Sequence, residues 1–333
     1  MTFKSKIIIL SSVIGALSLA FILTIVFDNE RVQSRFAAHS WLETWQRNEI
    51  GGIILESNLH GRISLERRDG DWVVLRGGVF FPARQQRVED LISLLTRRAA
   101  YRIISSSASA HERLAVDGGG NTASITVTDR GGRTMLALLI GNRDATGRNI
   151  YLRRQDLNEV RSGEDLFTGF LSLEPSAWFN LRLFPESETG ELTVTSVQRL
   201  TVFPSLGEDE EETGPFVFTR SGRGWAFNFH LNDPNMGRVD SYIQDILITA
   251  GSDFADHINP DELLIHDSSI VLEFGDGTTR TVRFSRPFRF GPGEPVIRYA
   301  TVSKAGVPAT DLVYVIPEWA YSRIFQDISV FER

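Results

Sequence analysis

Few side chains in this 333-residue sequence stand at spacings that could do chemistry. The densest group is DFADHINPDELLIHD, which holds Asp253, Asp256, His257, Asp261, Glu262, His266 and Asp267. His257, His266 and one carboxylate would suit zinc or a harder cation in ligand type. None of the six histidines, however, falls in an HExxH or related spacing. The segment therefore reads as a polar loop with a short helix over 261–265, started by Pro260. The consecutive acids of 208–212 lack the alternating turn residues of a calcium loop, and they read as a solvated loop because like charges repel.

Gly118, Gly119 and Gly120 lead into a strand, whereas a phosphate-binding loop must open a helix. Ser105, Ser106 and Ser107 form no GxSxG elbow. Cysteine is absent, which excludes disulfides, thiolate metal sites, cysteine nucleophiles and a lipidated cysteine. The lysines are Lys4, Lys6 and Lys304, so beyond the amino terminus a lysine nucleophile could only be Lys304. A pair of carboxylates for glycoside chemistry is defined in space and not by sequence spacing, so a carboxylate-based hydrolase stays open as a third reading. No catalytic, cofactor or metal residue is assigned, and the preferred expectation is a protein that is not an enzyme.

The elements around these residues carry more information. Residues 7–27 form an uncharged, proline-free apolar run that would cover roughly 30 Å as a helix, the thickness of the bilayer core. It is longer than a signal-peptide apolar region, and no small-residue cleavage site follows it, so an uncleaved anchor is expected. Lys4 and Lys6 precede it, and Asp28 and Glu30 follow. That asymmetry places the amino terminus in the cytoplasm and residues 28–333 outside. Ser12, Ala16 and Ala20 recur along one face of that helix as a candidate surface for packing a partner helix. Residues 29–49 lack proline and glycine and are expected as a helical stalk, with Trp41 and Trp45 one turn apart.

Apolar residues at 42% and charged residues at 23% are globular values. The net charge of −7, together with the orientation, argues against a nucleic-acid partner, despite clusters such as Arg97-Arg98.

The outer part reads as a repeat. Val88, Leu91, Ile92 and Leu95 fall at i, i+3, i+4 and i+7, and so do Val239, Tyr242, Ile243 and Ile246. Before each helix lies a hairpin pattern, with Asp69-Gly70 then Trp72 in one and Ser221-Gly222 then Trp225 in the other. The tryptophans are expected to pack inward. After each helix comes another hairpin. Alternating Ala123, Ile125 and Val127 turn through 129–132 into 134–140, and alternating Ile270, Leu272 and Phe274 turn at Asp276-Gly277 into 279–284. Further strands near 150–153 and 297–301 and helical ends at 166–170 and 318–325 complete the pattern, with the second copy starting on a strand over 192–203.

The fold class is therefore α+β. An amino-terminal transmembrane helix is followed by two tandem repeated α+β domains with mainly antiparallel sheets. Residues 1–28 are the cytoplasmic tip and membrane helix, 29–49 the stalk, 50–187 the first domain and 191–333 the second.

The tryptophan, the Phe81-Pro82-Ala83 entry to the helix, the Leu139-Ile140-Gly141 strand end and Tyr151 resemble the bacterial family catalogued as domain of unknown function 4340. The likeness is closest over 63–184 and looser over 198–331. There Asn235-Met236-Gly237 stands for Pro-Ala, and Phe284-Ser285 for Ile-Gly. The resemblance implies one amino-terminal membrane helix, an extracytoplasmic α/β region often in two copies, and an inner-membrane setting in bacteria. It also implies an ABC transporter of the gliding-motility type as neighbour, with its permease or auxiliary subunit as partner. It carries over no catalytic residue. The expected function is a non-catalytic, membrane-anchored extracytoplasmic module, an accessory subunit of such a transporter. The alternative is binding of an envelope polymer or small ligand in a cleft between the two domains.

Overall fold

The computed structural model describes residues 17–18, 38–42, 47–57, 61–119, 122–205, 214–222, 224–231, 234–255, 258, 266–305 and 312–332. Of the apolar run only Leu17 and Ser18 are among them, both helical. Among the described residues no helix is long and apolar enough to cross a membrane. Ser12, Ala16 and Ala20 lie outside the described residues.

The first half contains β1 (Ala38–His39), β2 (Ile50–Ser57), β3 (Gly61–Arg68), β4 (Asp71–Arg76), β5 (Val79–Pro82), α1 (Gln85–Thr96) and β6 (Ala99–Ala100). It continues with β7 (Arg102–Ser105), β8 (Ala123–Asp129), β9 (Thr134–Arg143), β10 (Asn149–Arg154) and β11 (Val160–Glu164). One-turn helices α2 (Pro175–Trp178) and α3 (Glu186–Thr189) lead to β12 (Val197–Phe203), β13 (Phe216–Ser221), β14 (Gly224–Phe227) and α4 (Met236–Ile248). β15 (Asp253–Phe254), β16 (His266–Phe274), β17 (Thr279–Ser285), β18 (Ile297–Lys304), β19 (Val313–Pro317) and α5 (Glu318–Ile324) follow.

Two large sheets result, ordered β5-β4-β3-β2-β8-β9-β10-β11-β7 and β14-β13-β12-β16-β17-β18-β19-β15. Once β5 is set aside, the strands of each half stand in the same order. In both, the first strand and the first strand of the later hairpin meet at the centre, and the short strand after the long helix closes one edge. The recorded pairings are antiparallel, as expected.

Register follows from period-two alternation. Ile53 stands opposite Leu65 and Val127, and Leu55 opposite Ile63 and Ile125, giving one continuous buried row. Leu200 between Phe218 and Leu272, with Val202 opposite Ile270, does the same in the second sheet. Each such side chain contributes about 1.5–3 kcal/mol by leaving water. The opposite sheet faces carry half-buried Ser64, Thr126 and Ala137 in one and Val271, Thr281 and Ser303 in the other. On the helices, Val88, Leu91, Ile92 and Leu95 of α1 and Val239, Tyr242, Ile243 and Ile246 of α4 are buried, the stripes that the periodicity marks.

By its contacts the chain forms two compact units, residues 1–72 with 85–173 and residues 73–84 with 174–333. Residues 73–84 join the second unit through Arg76 and Phe81. Phe81 stacks on Phe254 at 5.0 Å and meets Phe179 edge-on at 5.6 Å. The Arg76 guanidinium lies over both Phe81 and Phe179, and it donates to Asp253 at 2.8 Å and to the Phe254 carbonyl at 2.7 Å.

Several local expectations differ from what forms. In the stretch expected as a stalk, residues 38–39 pair as a strand with 99–100 and residues 47–49 make a 3-10 turn. Tertiary contacts decide this. The N–H groups of Trp41 and Leu42 donate to the Leu95 carbonyl, and the Trp41 ring packs 5.0 Å from Tyr101. The expected helix at 166–170 is only a 3-10 turn over Thr168–Phe170. The strand expected from 192 starts at Val197, because Thr193 and Ser196 cap a 3-10 turn with reciprocal hydrogen bonds. The expected helix over 261–265 lies outside the described residues.

Candidate functional site

The two tryptophans are structural clamps. Trp72 follows a turn in which Asp69 and Gly70 both have positive φ, 51° and 101°, the combination a tight two-residue hairpin needs. That turn brings Trp72 to the start of α1, where the Gln85 side chain accepts from its backbone N–H and donates to its carbonyl, both at 2.8 Å. Its indole N–H donates to Glu89 at 3.2 Å, and Arg67 lies over its ring. Trp225 repeats the arrangement with Asp240 at 2.9 Å and Arg220 at 4.3 Å over the ring. Both indoles are buried, so neither is a ligand platform.

A charged cluster lies between β16, β17, β18 and α5. Arg298 shares the strand parity of Ala300 and pairs with Ile316, an inward position for a cation. Its side chain is 9% exposed. One terminal nitrogen donates to Asp267 at 2.9 Å and to the Ser285 carbonyl at 3.1 Å. Nε faces Glu318 at 3.6 Å, and the guanidinium sits 3.7 Å over the Tyr321 ring. The Tyr321 hydroxyl is 3.0 Å from Ser268, and burial raises its pKa above the ordinary tyrosine value. A guanidinium between two carboxylates and an aromatic face has its charge balanced in place, an arrangement that ties β16, β18 and α5 together.

Exposed aromatic rings stand in the loop after β17 and on α5. Phe290 is 68% exposed, Trp319 63% and Phe288 44%. Phe288 is bridged to Ile297 by backbone hydrogen bonds in both directions, Ile297 pairs with Pro317, and Trp319 follows in α5.

The residues singled out for chemistry do not converge. Asp253, on the edge strand β15, is held by Arg76, and Asp267, on the central strand β16, by Arg298. Asp256, His257, Asp261, Glu262 and the acids of 208–212 lie outside the described residues, as does the His266 side chain. Among the described residues no group of three or more His, Cys, Asp or Glu could hold a metal ion. The Asp117 carboxylate accepts from the Gly119 N–H at 3.1 Å and from Thr122 at 3.2 Å, which lowers its pKa and ties down the chain at Gly118–Gly119. Ser107 caps the 3-10 turn over Ala108–Ala110, and Lys304 ends β18 in solvent. A hollow of about 220 Å³ beside Arg84, Phe179, Leu181 and Ile248 has its arginines engaged, Arg182 by Glu188 at 2.7 Å and Arg84 by the Ser176 carbonyl. A cavity of about 40 Å³ among Phe216, Phe218, Tyr242 and Phe331 is little larger than one water.

A family model described as Domain of unknown function (DUF4340) matches residues 46–261, more than half of the chain. The chain belongs to this family. No curated protein and no solved structure matches it. The DUF4340 match encloses both tryptophan clamps and both long helices, and it stops before β16, so the Arg298 cluster and the aromatic surface lie beyond it. Sequence reasoning passed over Arg298 and Arg76. The available signal was an arginine at an inward strand parity, and that parity is readable only once the strand's pairing is known.

Proposed function

We propose that this DUF4340 protein is a non-catalytic, membrane-anchored extracytoplasmic module that serves as an accessory subunit of an ABC-type transport system. The observation that carries the anchored reading is the apolar run of residues 7–27, flanked by Lys4 and Lys6 on one side and by Asp28 and Glu30 on the other. Residues 28–333 are then extracytoplasmic, and Ser12, Ala16 and Ala20 are the face for a partner helix. The matching strand order of the two sheets once β5 is set aside, each with its tryptophan–carboxylate clamp, supports reading the outer part as two tandem copies of one α+β unit. The transporter link rests on the family resemblance. The non-catalytic reading is supported by Asp253, Asp267 and Tyr321, whose polar atoms hold the fold together.

Detergent co-purification of the tagged full chain from native membranes, with mass spectrometry of what stays bound, tests the proposal. A permease, ATPase or auxiliary subunit in stoichiometric amount is the expected result. A protein that emerges alone would overturn the accessory role and favour binding of an envelope polymer.

A further inference from the structure

We infer that the loop of residues 286–296 docks on the surface of an anionic lipid bilayer. The inference rests on the anchored reading above, which holds the chain beside a membrane.

Phe288 and Phe290 are large side chains left in water, whereas Tyr299, on which Phe288 leans, is buried. A patch of this kind on an otherwise well-packed unit marks a surface meant to be covered. It is fixed in shape. Phe288 and Phe290 meet edge-on at 5.0 Å, Phe288 leans on Tyr299, and the loop ends are tied by Phe288 N–H to the Ile297 carbonyl at 2.8 Å and the reverse bond at 3.0 Å. Little ordering remains to oppose docking.

Three features favour lipid over protein. Arg286 and Arg289 are exposed in the loop against Glu294, so the loop is locally basic on a chain of net charge −7. Basic residues interleaved with aromatic rings match acidic headgroups above acyl chains. Pro287, Pro292 and Pro295 have no N–H, and those of Phe288 and Glu294 are already bonded, so the loop has fewer backbone donors to desolvate at the headgroup level than an ordinary loop of its length. Phe290, at the tip, is the residue that would enter first.

The absence of cysteine allows a clean test. Full chains carrying Phe290→Cys or Lys304→Cys, each labelled with an environment-sensitive fluorophore, are reconstituted in vesicles of phosphatidylcholine with or without phosphatidylglycerol. Lys304 is exposed at the far end of β18, about 20–25 Å from the loop end of that strand. Brominated acyl chains should quench the label at 290 several-fold more than at 304. The excess should shrink without phosphatidylglycerol and vanish when Arg286→Glu and Arg289→Glu are added. Flotation of the same samples reports the anchor separately. A chain that floats with its 290 label as aqueous as the 304 label overturns the docking but not the anchor, and a chain that does not float overturns both. Protection of 290 only in native membranes would mean a protein partner and would also overturn the inference.

Discussion

The indole nitrogen of Trp225 lies 2.9 Å from a carboxylate oxygen of Asp240, joining the strand that ends a hairpin to the second turn of the helix that follows. The ring is 5% exposed and Asp240 faces solvent, so the ring's packing dominates and the hydrogen bond adds direction. Trp225→Ala should destabilise the fold by about 3–5 kcal/mol, and Asp240→Asn, whose amide oxygen still accepts, by about 1 kcal/mol or less. Urea unfolding of both variants checks this; equal effects would mean that the bond, not the packing, holds the helix.

Arg298 and Asp267 are both largely buried, at 9% and 13% exposure. Removing one partner leaves a charge in a poorly solvated site, which costs about 3–5 kcal/mol. Arg298→Met or Asp267→Leu alone should each lower the melting temperature strongly. The double variant should be less harmed than the sum of the two, and a thermal double-mutant cycle measures the coupling.

Hydrogen bonds from the Thr146 and Asn149 side chains, joined by backbone donors, lower Asp144 to about 2 from its ordinary 3.8. The folded chain therefore holds this carboxylate ionised more strongly than the unfolded chain does. Its contribution is complete above pH 3.8 and is lost as pH falls towards 2. Asp144→Asn should flatten the stability-against-pH curve in that window. The check is denaturant unfolding at a series of acidic pH values.

Gly141 ends the Leu-Ile-Gly sequence of β9 where the chain passes against residues 114–116. A Cβ there would lie 2.7 Å from Val116 Cγ1 and 2.9 Å from the Ala115 carbonyl oxygen, closer than atoms pack. Gly141→Ala should cost about 1–3 kcal/mol and loosen the bond from Asn142 N–H to the Leu114 carbonyl, which is 3.2 Å long. Amide exchange at Asn142 reads the loosening directly.

Short-range rules made part of the fold legible. The Asp69-Gly70 and Asp276-Gly277 turns and the buried stripes of α1 and α4 depend on residues within a few positions of one another, and they appear where the pattern puts them. β2, β5, β11 and β19 are strands that these short-range patterns do not mark. β11 is a polar run, VRSGE, that is a strand because β10 and β7 pair on either side. The Arg298 cluster was hidden for the same reason. Asp267, Ser285, Arg298 and Tyr321 are spread over four elements and meet only after β16, β17 and β18 are in register.

The sequence by itself determined the apolar amino-terminal run, the antiparallel α+β class, the inward tryptophans and the family, because each is written in local composition and spacing. Only the tertiary structure decided which carboxylates are bound to arginines and which aromatic rings are left in water. The pairing of Asp267 with Arg298 follows from strand register, in which a shift of one residue would exchange the inward and outward sets, and the rings of Phe288 and Phe290 stand on a loop that packing elsewhere leaves uncovered.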